Sequence, residues 1–320
     1  MKIKLNNIKN EITGQIYVID ITDCLTNAGK NYCRCVITDG DTTLTASIFN
    51  TSKKSLENNN IVAPGVYDAI LEKNGNYMNL KWLSLNSEPN ITSNDFISKS
   101  AVNPEAAYNM ILEYIEKSKI EDSSGIYNSI TLLTKKIYEK YKNILTFVAA
   151  GKSIHHNYIG GLMEHTLSIV KSSWSMLEQY PELNKELLIC GAALHDIGKV
   201  EEMVTDSMGQ TTYTTIGNLL GHHCEGILII DREVQEDKSY NPETVMLLEH
   251  IIASHHGKRE YGAITPPMIP EAVMLHFLDD IDANMNKYKK AYKDFNVLRG
   301  TISDQKILGI DGPTPIYLKA

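Results

Sequence analysis

Histidines, which bind metal ions in many proteins, are concentrated in one part of this 320-residue chain, since all ten lie between His155 and His276. At the centre of this region is the pentapeptide His195-Asp196-Ile197-Gly198-Lys199, which places an imidazole next to a carboxylate. Both groups ligate divalent ions, and a carboxylate can bridge two of them. Because two adjacent ligands do not complete a coordination shell, the fold must bring further ligands from distant positions.

Several later residues are candidates for these further ligands. His165 follows the pair Gly160-Gly161, which allows a tight turn before a helix and places His165 in its first turns. Asp279 and Asp282 are three residues apart and share a helical face, whereas Asp280 is rotated away and expected to be solvated. The remaining candidates are either His222 or His223, which follow Gly221, and the pair His255-His256, which precedes Gly257.

Each candidate also has an interpretation without a metal. The pair His195-Asp196 ends an apolar helical run, so it can be a helix terminus with a favourable cation in Lys199. A lone histidine such as His165 is more commonly a hydrogen-bonded core residue. For three others, His223, His250 and His276, we favour a structural role. The set as a whole, rather than any one member, favours a metal site.

The composition predicts a protein with full-sized hydrophobic cores and no membrane span. Apolar residues make up 42% of the chain, and no uninterrupted apolar run approaches the ~20 residues that cross a bilayer. The first residues lack the apolar stretch of a signal peptide, so we expect a cytoplasmic protein. The five cysteines are scattered without paired spacing, and we interpret them as reduced thiols.

The net charge of −8 lies entirely in residues 91–320, because residues 1–90 contain nine basic and nine acidic residues. Carboxylate ligands and solvated helix faces would both make the second part acidic. Nucleic-acid binding is normally accompanied by a basic patch. The charge therefore weakens the hypothesis of a nucleic-acid partner without excluding it.

Residues 1–87 show the short alternating runs that are typical of β-strands. Asp39-Gly40-Asp41 predicts a hairpin turn between two of the strands, because Asp-Gly tolerates the positive backbone angles of such turns. The predicted strands cover residues 15–21, 32–38, 42–49, 66–71 and 77–85. About five strands in so short a segment predict an all-β barrel, for which the OB-fold is the natural candidate.

The strand pattern of the sequence ends at residue 87. Residues 88–104 are rich in Ser, Asn, Pro and Thr without periodicity and are interpreted as a linker. Residues 105–300 have the periodicity of helices and predict an all-α domain, followed by an irregular C-terminal tail over 301–320. Within this domain the predicted helices around the candidate ligands cover 161–178, 183–197, 218–232, 242–255 and 270–295.

The histidine and aspartate series resembles the HD superfamily of metal-dependent phosphohydrolases. Its distinctive motifs are His-His-x-Tyr-x-Gly-Gly-Leu-Met-Glu-His-Thr from residue 155, His-Asp-Ile-Gly-Lys from residue 195, Gly-His from residue 221 and Ser-His-His-Gly from residue 254. Together with a preceding OB-like domain, they are similar to the YhaM-type 3′ to 5′ exoribonucleases. The resemblance covers most of the chain and implies an OB-fold-like domain followed by a helical HD domain.

The resemblance also implies roles for individual residues. One divalent ion would be bound by His165, His195, Asp196 and Asp279, and a second would share Asp196 and be bound by His222, His255 and His256. Lys199 would contact a substrate phosphate, and His156 would either do the same or support the ligands. Enzymes of this kind favour manganese, and two ions would activate a water for attack on a phosphodiester.

In the barrel, the residues suited to a single nucleic-acid strand are exposed aromatics beside a cation. Tyr32 and Arg34 share one face of a predicted strand, with Cys33 and Cys35 on the other. We therefore predict a nucleic-acid surface that includes Tyr32, Arg34, Tyr77 and Trp82, drawn from a wider aromatic set that also contains Tyr17, Phe49 and Tyr67. Sequence-specific binding is not expected, because the barrel has few basic residues and an extra turn over 27–31.

Three functions are compatible with these features. The first is a hydrolase that degrades single-stranded RNA, or DNA, from its 3′ end and releases nucleoside monophosphates. The second is an HD phosphohydrolase acting on a nucleotide, cyclic nucleotide or cyclic dinucleotide, in which the barrel serves assembly. The third is a nucleic-acid-binding protein with an inactive HD domain, which the complete ligand set disfavours. Exposed helix faces within 105–148 can support a homo-oligomer.

Overall fold

The computed structural model describes residues 1–5, 8, 10–40, 42–75, 77–151, 156, 158–206, 209–294, 300–302, 307–309 and 312–317. The chain divides into two compact units, Met1–Ser98 and Lys99–Ala320. None of the described helices combines the length and the apolar composition that crossing a bilayer requires.

The first unit contains a closed five-stranded barrel with strand order β1-β2-β3-β5-β4. The strands are β1 (Glu11–Leu25), β2 (Asn31–Thr38), β3 (Thr43–Phe49), β4 (Gly65–Asn74) and β5 (Tyr77–Leu85). The pairing is antiparallel except between β3 and β5, and the short helix α1 (Lys53–Asn58) lies between β3 and β4. This architecture confirms the predicted β-barrel and is consistent with an OB-like fold.

Residues that alternate along a strand of the barrel face its inside and its outside in turn. Cys33 and Cys35 on β2 are fully buried, whereas Arg34 between them is exposed. The predicted turn between β2 and β3 is stabilised by Asp39, whose carboxylate accepts hydrogen bonds from the backbone N–H of Thr42 at 2.7 Å and of Leu5 at 2.8 Å. The hairpin thus fixes which face of β2 is exposed.

The segment predicted as a linker, 88–104, contains the boundary between the two units, and parts of it pack within the unit to which they belong. Residues Ser93–Phe96 form a 3-10 helix, and the buried ring of Phe96 lies 6.2 Å from that of Tyr17 in the barrel unit. Ser100 belongs to the second unit, where its backbone N–H donates to the Ile159 carbonyl at 2.9 Å and its hydroxyl donates to Glu164 at 2.5 Å. The low periodicity of this segment reflects irregular structure rather than an absence of contacts.

The second unit is mainly helical. Its helices are α2 (Pro104–Ser118), α3 (Ile130–Leu145), α4 (Gly161–Gln179), α5 (Lys185–Leu194), α6 (Lys199–Glu202), α7 (Thr215–Glu236), α8 (Pro242–Ser254) and α9 (Pro270–Asp294). Helix α5 is the central element, since nearly all of its side chains are buried and it contacts α2, α3, α4, α8 and α9. Its apolar sequence, Leu-Leu-Ile-Cys-Gly-Ala-Ala-Leu, explains this position.

The second unit is not all-α as predicted, because it also contains short strands. Strands β6 (Met203–Thr205) and β7 (Thr211–Tyr213) form a hairpin between α6 and α7. Strands β8 (Ile307–Gly309) and β9 (Gly312–Thr314) form another in the segment expected to be an irregular tail. Strands of three residues are too short to show an alternating pattern in the sequence.

Two glycines determine how α6 and α7 meet. Gly221 interrupts α7 with φ 71° and ψ 164°, so that His222 begins the second helical segment. A Cβ atom on Gly198 would lie 1.9 Å from the carbonyl oxygen of His222 and 2.6 Å from the backbone nitrogen of Gly226. Only glycine allows this backbone-to-backbone approach, which brings the His195-Asp196 segment next to His222.

The replacement Gly198→Ala is expected to lower the free energy of unfolding by about 2 to 3 kcal/mol, because the backbone of α7 must move to admit the methyl group. Gly125→Ala serves as the control. It imposes a positive φ on alanine, but no atom of the described residues lies within 4 Å of the new Cβ, so it should cost only about 1 kcal/mol. Denaturant unfolding of both variants measures the difference, and equal losses would contradict the close-approach explanation.

Candidate metal centre

The carboxylate of Asp196 lies between two groups of histidines and is only 3% exposed. Its Oδ2 atom is 3.5 Å from Nε2 of His165 and 3.4 Å from Nε2 of His195. Its Oδ1 atom faces the other way, 3.6 Å from Nε2 of His222 and 3.8 Å from Nε2 of His255. A carboxylate in this position can contribute one oxygen to each of two metal sites.

The first site, here called the carboxylate-rich site, consists of His165, His195, Asp196 and Asp279. Nε2 of His165 lies 3.2 Å from Oδ1 of Asp279 and 3.3 Å from Nε2 of His195. Three helices supply these residues: His165 lies on α4, His195 follows directly after α5, and Asp279 lies on α9. The potential ligand atoms of His165, His195 and Asp279 all lie within 4.8 Å of one another.

The second site, here called the imidazole-rich site, consists of His222, His223, His255 and His256 together with the shared Asp196. One potential ligand atom from each histidine lies within 4.8 Å of the other three. His222 and His223 begin the second segment of α7, and His255 and His256 follow the end of α8. The fold thus brings two sequence-adjacent pairs face to face.

Hydrogen bonds at Nδ1 orient these rings. Nδ1 of His195 lies 2.8 Å from the carbonyl oxygen of Ala192, and Nδ1 of His255 lies 2.8 Å from that of Ile252. Nδ1 of His256 lies 3.0 Å from the carbonyl oxygen of Tyr261. A carbonyl oxygen can only accept, so Nδ1 carries the proton and the lone pair is at Nε2. These three rings are held in the tautomer that ligates through Nε2.

Carboxylates perform the same task for two other rings. Nδ1 of His165 lies 2.7 Å from Oδ2 of Asp282. Oε1 of Glu202 lies 3.1 Å from Nδ1 of His222 and accepts a second hydrogen bond from the backbone N–H of His222 at 3.1 Å. A carboxylate behind a ligating imidazole fixes its orientation and raises its basicity. Asp282 lies on the helical face predicted from the sequence, where no role was assigned to it, and Glu202 was not predicted.

The residues present fit a metal ion. Within the described part of the chain, Oδ1 of Asp196 and Nε2 of His222, His223 and His255 are buried and have no hydrogen-bond partner. A buried polar atom without a partner costs about 1 to 3 kcal/mol. With the tautomers of His222 and His255 set as above, their Nε2 atoms and the oxygen of Asp196 are all acceptors, so they cannot satisfy one another. A divalent cation is the group that would satisfy all of them together.

The electrostatics place the groups in the ionisation states that metal ligands need. Burial lowers the pKa of His223 to about 3 and that of His256 to about 4, and neighbouring histidines add to the effect. Both rings are therefore neutral near pH 7. Burial alone would raise the pKa of Asp196, but the charge of Lys199 holds it well below its usual value. Asp196 is therefore ionised.

His165 differs from the other rings. Burial acts to lower its pKa, but hydrogen bonds with Asp196, Asp279 and Asp282 outweigh burial and hold the pKa well above its ordinary value. Three carboxylates around one imidazole create a strongly negative position. A cation is favoured there, either as a proton on the ring or as a metal ion in its place.

The structure also locates the two residues predicted to assist chemistry. The ammonium of Lys199 donates to Oδ2 of Asp196 at 2.6 Å, and the side chain is buried. His156 is 3% exposed, with Nε2 at 3.0 Å from Asp282 and Nδ1 at 2.9 Å from the hydroxyl of Tyr158. Both of its ring nitrogens are engaged, so the geometry favours support of the ligands through Asp282 over contact with a phosphate.

Three histidines were expected to have structural roles. Nε2 of His250 accepts a hydrogen bond from the backbone N–H of Met268 at 2.9 Å, and Nδ1 of His276 lies 2.9 Å from the carbonyl oxygen of His255. Both lie outside the two sites. His223 departs from the expectation, because the break at Gly221 places it with His222 in the first turn of a helical segment that faces the end of α8.

The predicted nucleic-acid residues lie on the outside of the barrel. Tyr32 is partly buried and stacks on Phe49, with ring centroids 5.5 Å apart and planes inclined by 29°. Arg34 is exposed two residues further along β2. Tyr77 is 77% exposed and Trp82 is 46% exposed. From the wider aromatic set, Tyr17 and Tyr67 are buried in the barrel core.

Because Asp196 would be shared by both sites, Asp196→Asn should abolish tight metal binding at both. Asp279→Asn should lower the metal affinity of the carboxylate-rich site only, by roughly 10- to 100-fold. Asp280→Asn is the control, since Asp280 is exposed on the opposite face of α9. Metal content after dialysis, measured by mass spectrometry, reports the number of ions retained. Retention of two ions by Asp196→Asn would contradict a shared ligand.

Comparison with known families agrees with this geometry. A family model described as HD domain matches residues 162–284. That range extends from α4 into α9 and includes every residue of the carboxylate-rich and imidazole-rich sites, together with Lys199, Glu202 and Asp282. The predicted membership of the HD superfamily is thereby supported. Residues 162–284 match an HD domain, and such a domain indicates a metal-dependent phosphohydrolase.

Proposed function

We propose that this protein is a metal-dependent 3′ to 5′ exonuclease that hydrolyses the phosphodiester bonds of single-stranded RNA, or of single-stranded DNA. The position of the Asp196 carboxylate supports the chemistry, since it can serve two adjacent metal sites. Two neighbouring ions are a recurrent arrangement for in-line displacement at phosphorus. A nucleic-acid polymer is preferred over a free nucleotide because the same chain contains an OB-like barrel with exposed aromatic side chains.

The chain's own residues would hold the ions and prepare the site. His165, His195, Asp196 and Asp279 would hold one ion, Mn²⁺ in this proposal, and Asp196 with the imidazole-rich site would hold the second. Such ions act as Lewis acids toward a phosphodiester and lower the pKa of water. No side-chain nucleophile is needed.

Lys199 and Asp282 have separate tasks in this proposal. The ammonium of Lys199, 2.6 Å from Asp196, offsets the negative charge of the site and would help to neutralise a substrate phosphate. Asp282 orients His165 and is itself held by His156. Because these groups are fixed by hydrogen bonds in the folded protein, little reorganisation is required when a substrate binds.

The barrel would bind the strand by stacking. Tyr32 and Phe49 are cross-strand neighbours on β2 and β3, and Arg34 lies on the same face of β2. An aromatic platform beside a cation binds bases without reading their sequence. Since the first 90 residues have no net charge, we expect stacking to contribute more than phosphate contacts, and the salt dependence to be shallow.

The decisive experiment uses 5′-labelled single-stranded RNA with Mn²⁺ and compares the wild type with Asp196→Asn. The wild type should produce a ladder that shortens stepwise from the 3′ end and release nucleoside monophosphates. The variant should lose activity by about a thousandfold or more, because one substitution disturbs both metal sites. Asp280→Asn should degrade the RNA at the wild-type rate.

A panel of nucleotides, cyclic nucleotides and cyclic dinucleotides is incubated under the same conditions. Hydrolysis of a panel member without any RNA ladder would overturn the exonuclease proposal in favour of a small-molecule phosphohydrolase. RNA binding with no hydrolysis of any substrate would indicate a binding protein with an inactive HD domain.

The role of the barrel is tested by Tyr32→Ala and Trp82→Ala. Each should weaken binding of a single-stranded oligonucleotide by about tenfold, because one stacked base contributes roughly 1 to 3 kcal/mol. Leu25→Ala is the matched control, since Leu25 is 67% exposed on the same barrel and offers no aromatic ring. Fluorescence anisotropy with catalytically inactive Asp196→Asn protein measures the affinity. Unchanged affinity in both aromatic variants would exclude this surface.

A further inference from the structure

The imidazole-rich site contains a fourth histidine, His223, in addition to the three that the sequence resemblance implied. We propose that His223 is a fourth imidazole ligand and that it makes this site selective for a late divalent transition ion such as Zn²⁺, whereas the carboxylate-rich site takes Mn²⁺. The two sites would then hold two different metals.

The position of His223 is that of a ligand. The residue is 7% exposed, and its Nε2 atom is buried with no hydrogen-bond partner among the residues described. Its ring centroid lies 4.3 Å from that of His222, 4.4 Å from that of His255 and 4.4 Å from that of His256. A histidine serving only as core packing would be expected to bond its ring nitrogen to a nearby donor or acceptor.

The donor sets of the two sites differ in kind. The carboxylate-rich site offers two imidazoles and two carboxylates, a mixed set that is compatible with Mn²⁺. The imidazole-rich site offers four imidazoles and only the shared oxygen of Asp196. Imidazole suits Zn²⁺, Ni²⁺, Cu²⁺ and iron, and late divalent ions bind nitrogen ligands more tightly than Mn²⁺ does. A fourth imidazole therefore moves the preference of this site away from manganese.

At the imidazole-rich site, negative charge comes from a carboxylate that is hydrogen-bonded to a ligand on the side away from the ion. Glu202 is 7% exposed, and its carboxylate lies 3.1 Å from Nδ1 of His222. This hydrogen bond makes His222 a stronger donor and supplies negative charge without adding a directly coordinating oxygen.

This inference concerns the same metal centre as the proposed function but is tested without any substrate. Metal-free full-length protein is incubated with equal concentrations of Zn²⁺ and Mn²⁺, excess metal is removed, and bound metal is counted by mass spectrometry. The wild type should retain one Zn²⁺ and one Mn²⁺ per chain. In a second measurement, Zn²⁺ affinity is obtained by competition with a chelator.

His223→Phe keeps an aromatic ring beside His255 but removes the ligand atom. Its Zn²⁺ affinity should fall by about tenfold or more, its Mn²⁺ content should be unchanged, and the visible absorption of the Co²⁺-loaded protein should change. His250→Phe is the matched control, since it removes an imidazole that lies outside both sites, and it should bind both metals like the wild type. His223→Gln repeats the test with a smaller, polar side chain.

Unchanged Zn²⁺ affinity and an unchanged Co²⁺ spectrum in His223→Phe and His223→Gln would show that His223 only stacks on His255 and would overturn the inference. Retention of two Mn²⁺ ions by the wild type in the competition would also overturn it. Failure to degrade RNA would refute the proposed exonuclease function and leave the metal counts unaffected.

Discussion

The second unit depends on one electrostatic constraint, which is the burial of the Asp196 carboxylate among imidazoles whose Nε2 lone pairs also point inward. Acceptors that face one another in a region of low dielectric are unfavourable unless a cation lies between them. The protein supplies one cation itself, the ammonium of Lys199. That charge reaches Oδ2 only, so a metal ion is the group that could satisfy Oδ1 and the histidines around it together. The unfavourable arrangement would favour the binding of a divalent ion.

The fold maintains this arrangement by fixing the ligands from behind. Helix α5 is buried on nearly all sides and ends at His195, so the ligand pair emerges from the core of the unit. Carbonyl oxygens hold His195 and His255, and carboxylates hold His165 and His222. Each of these contacts determines a tautomer as well as an orientation. The absence of a side chain at Gly198 then allows the two halves of the site to approach each other.

Much of this organisation could be predicted from the sequence, because ligands and apolar periodicity leave local signals. The five strands, the helices around the motifs and the clustering of histidines were all accessible in that way. Glu202 was not, since it lies in a four-residue helix and acts through a ring twenty residues away. The position of His223 depends on the break at Gly221, and the contacts of Asp282 depend on where α9 packs. Spacing along a chain does not report such contacts between distant elements.

In the proposed function the two units would contribute different kinds of recognition, and this difference bears on the substrate. The HD domain would bind through charge, since its candidate ligands and Lys199 would act on ions and phosphates whatever the rest of the substrate is. The barrel has no net charge over the first 90 residues, so long-range attraction of a polyanion is not expected from it. Its exposed rings, such as the Tyr32 and Phe49 pair, would act only on bases in direct contact. A single strand offers bases for such rings and phosphates for a metal centre, and this division of tasks favours a polymer as the substrate of the proposed enzyme.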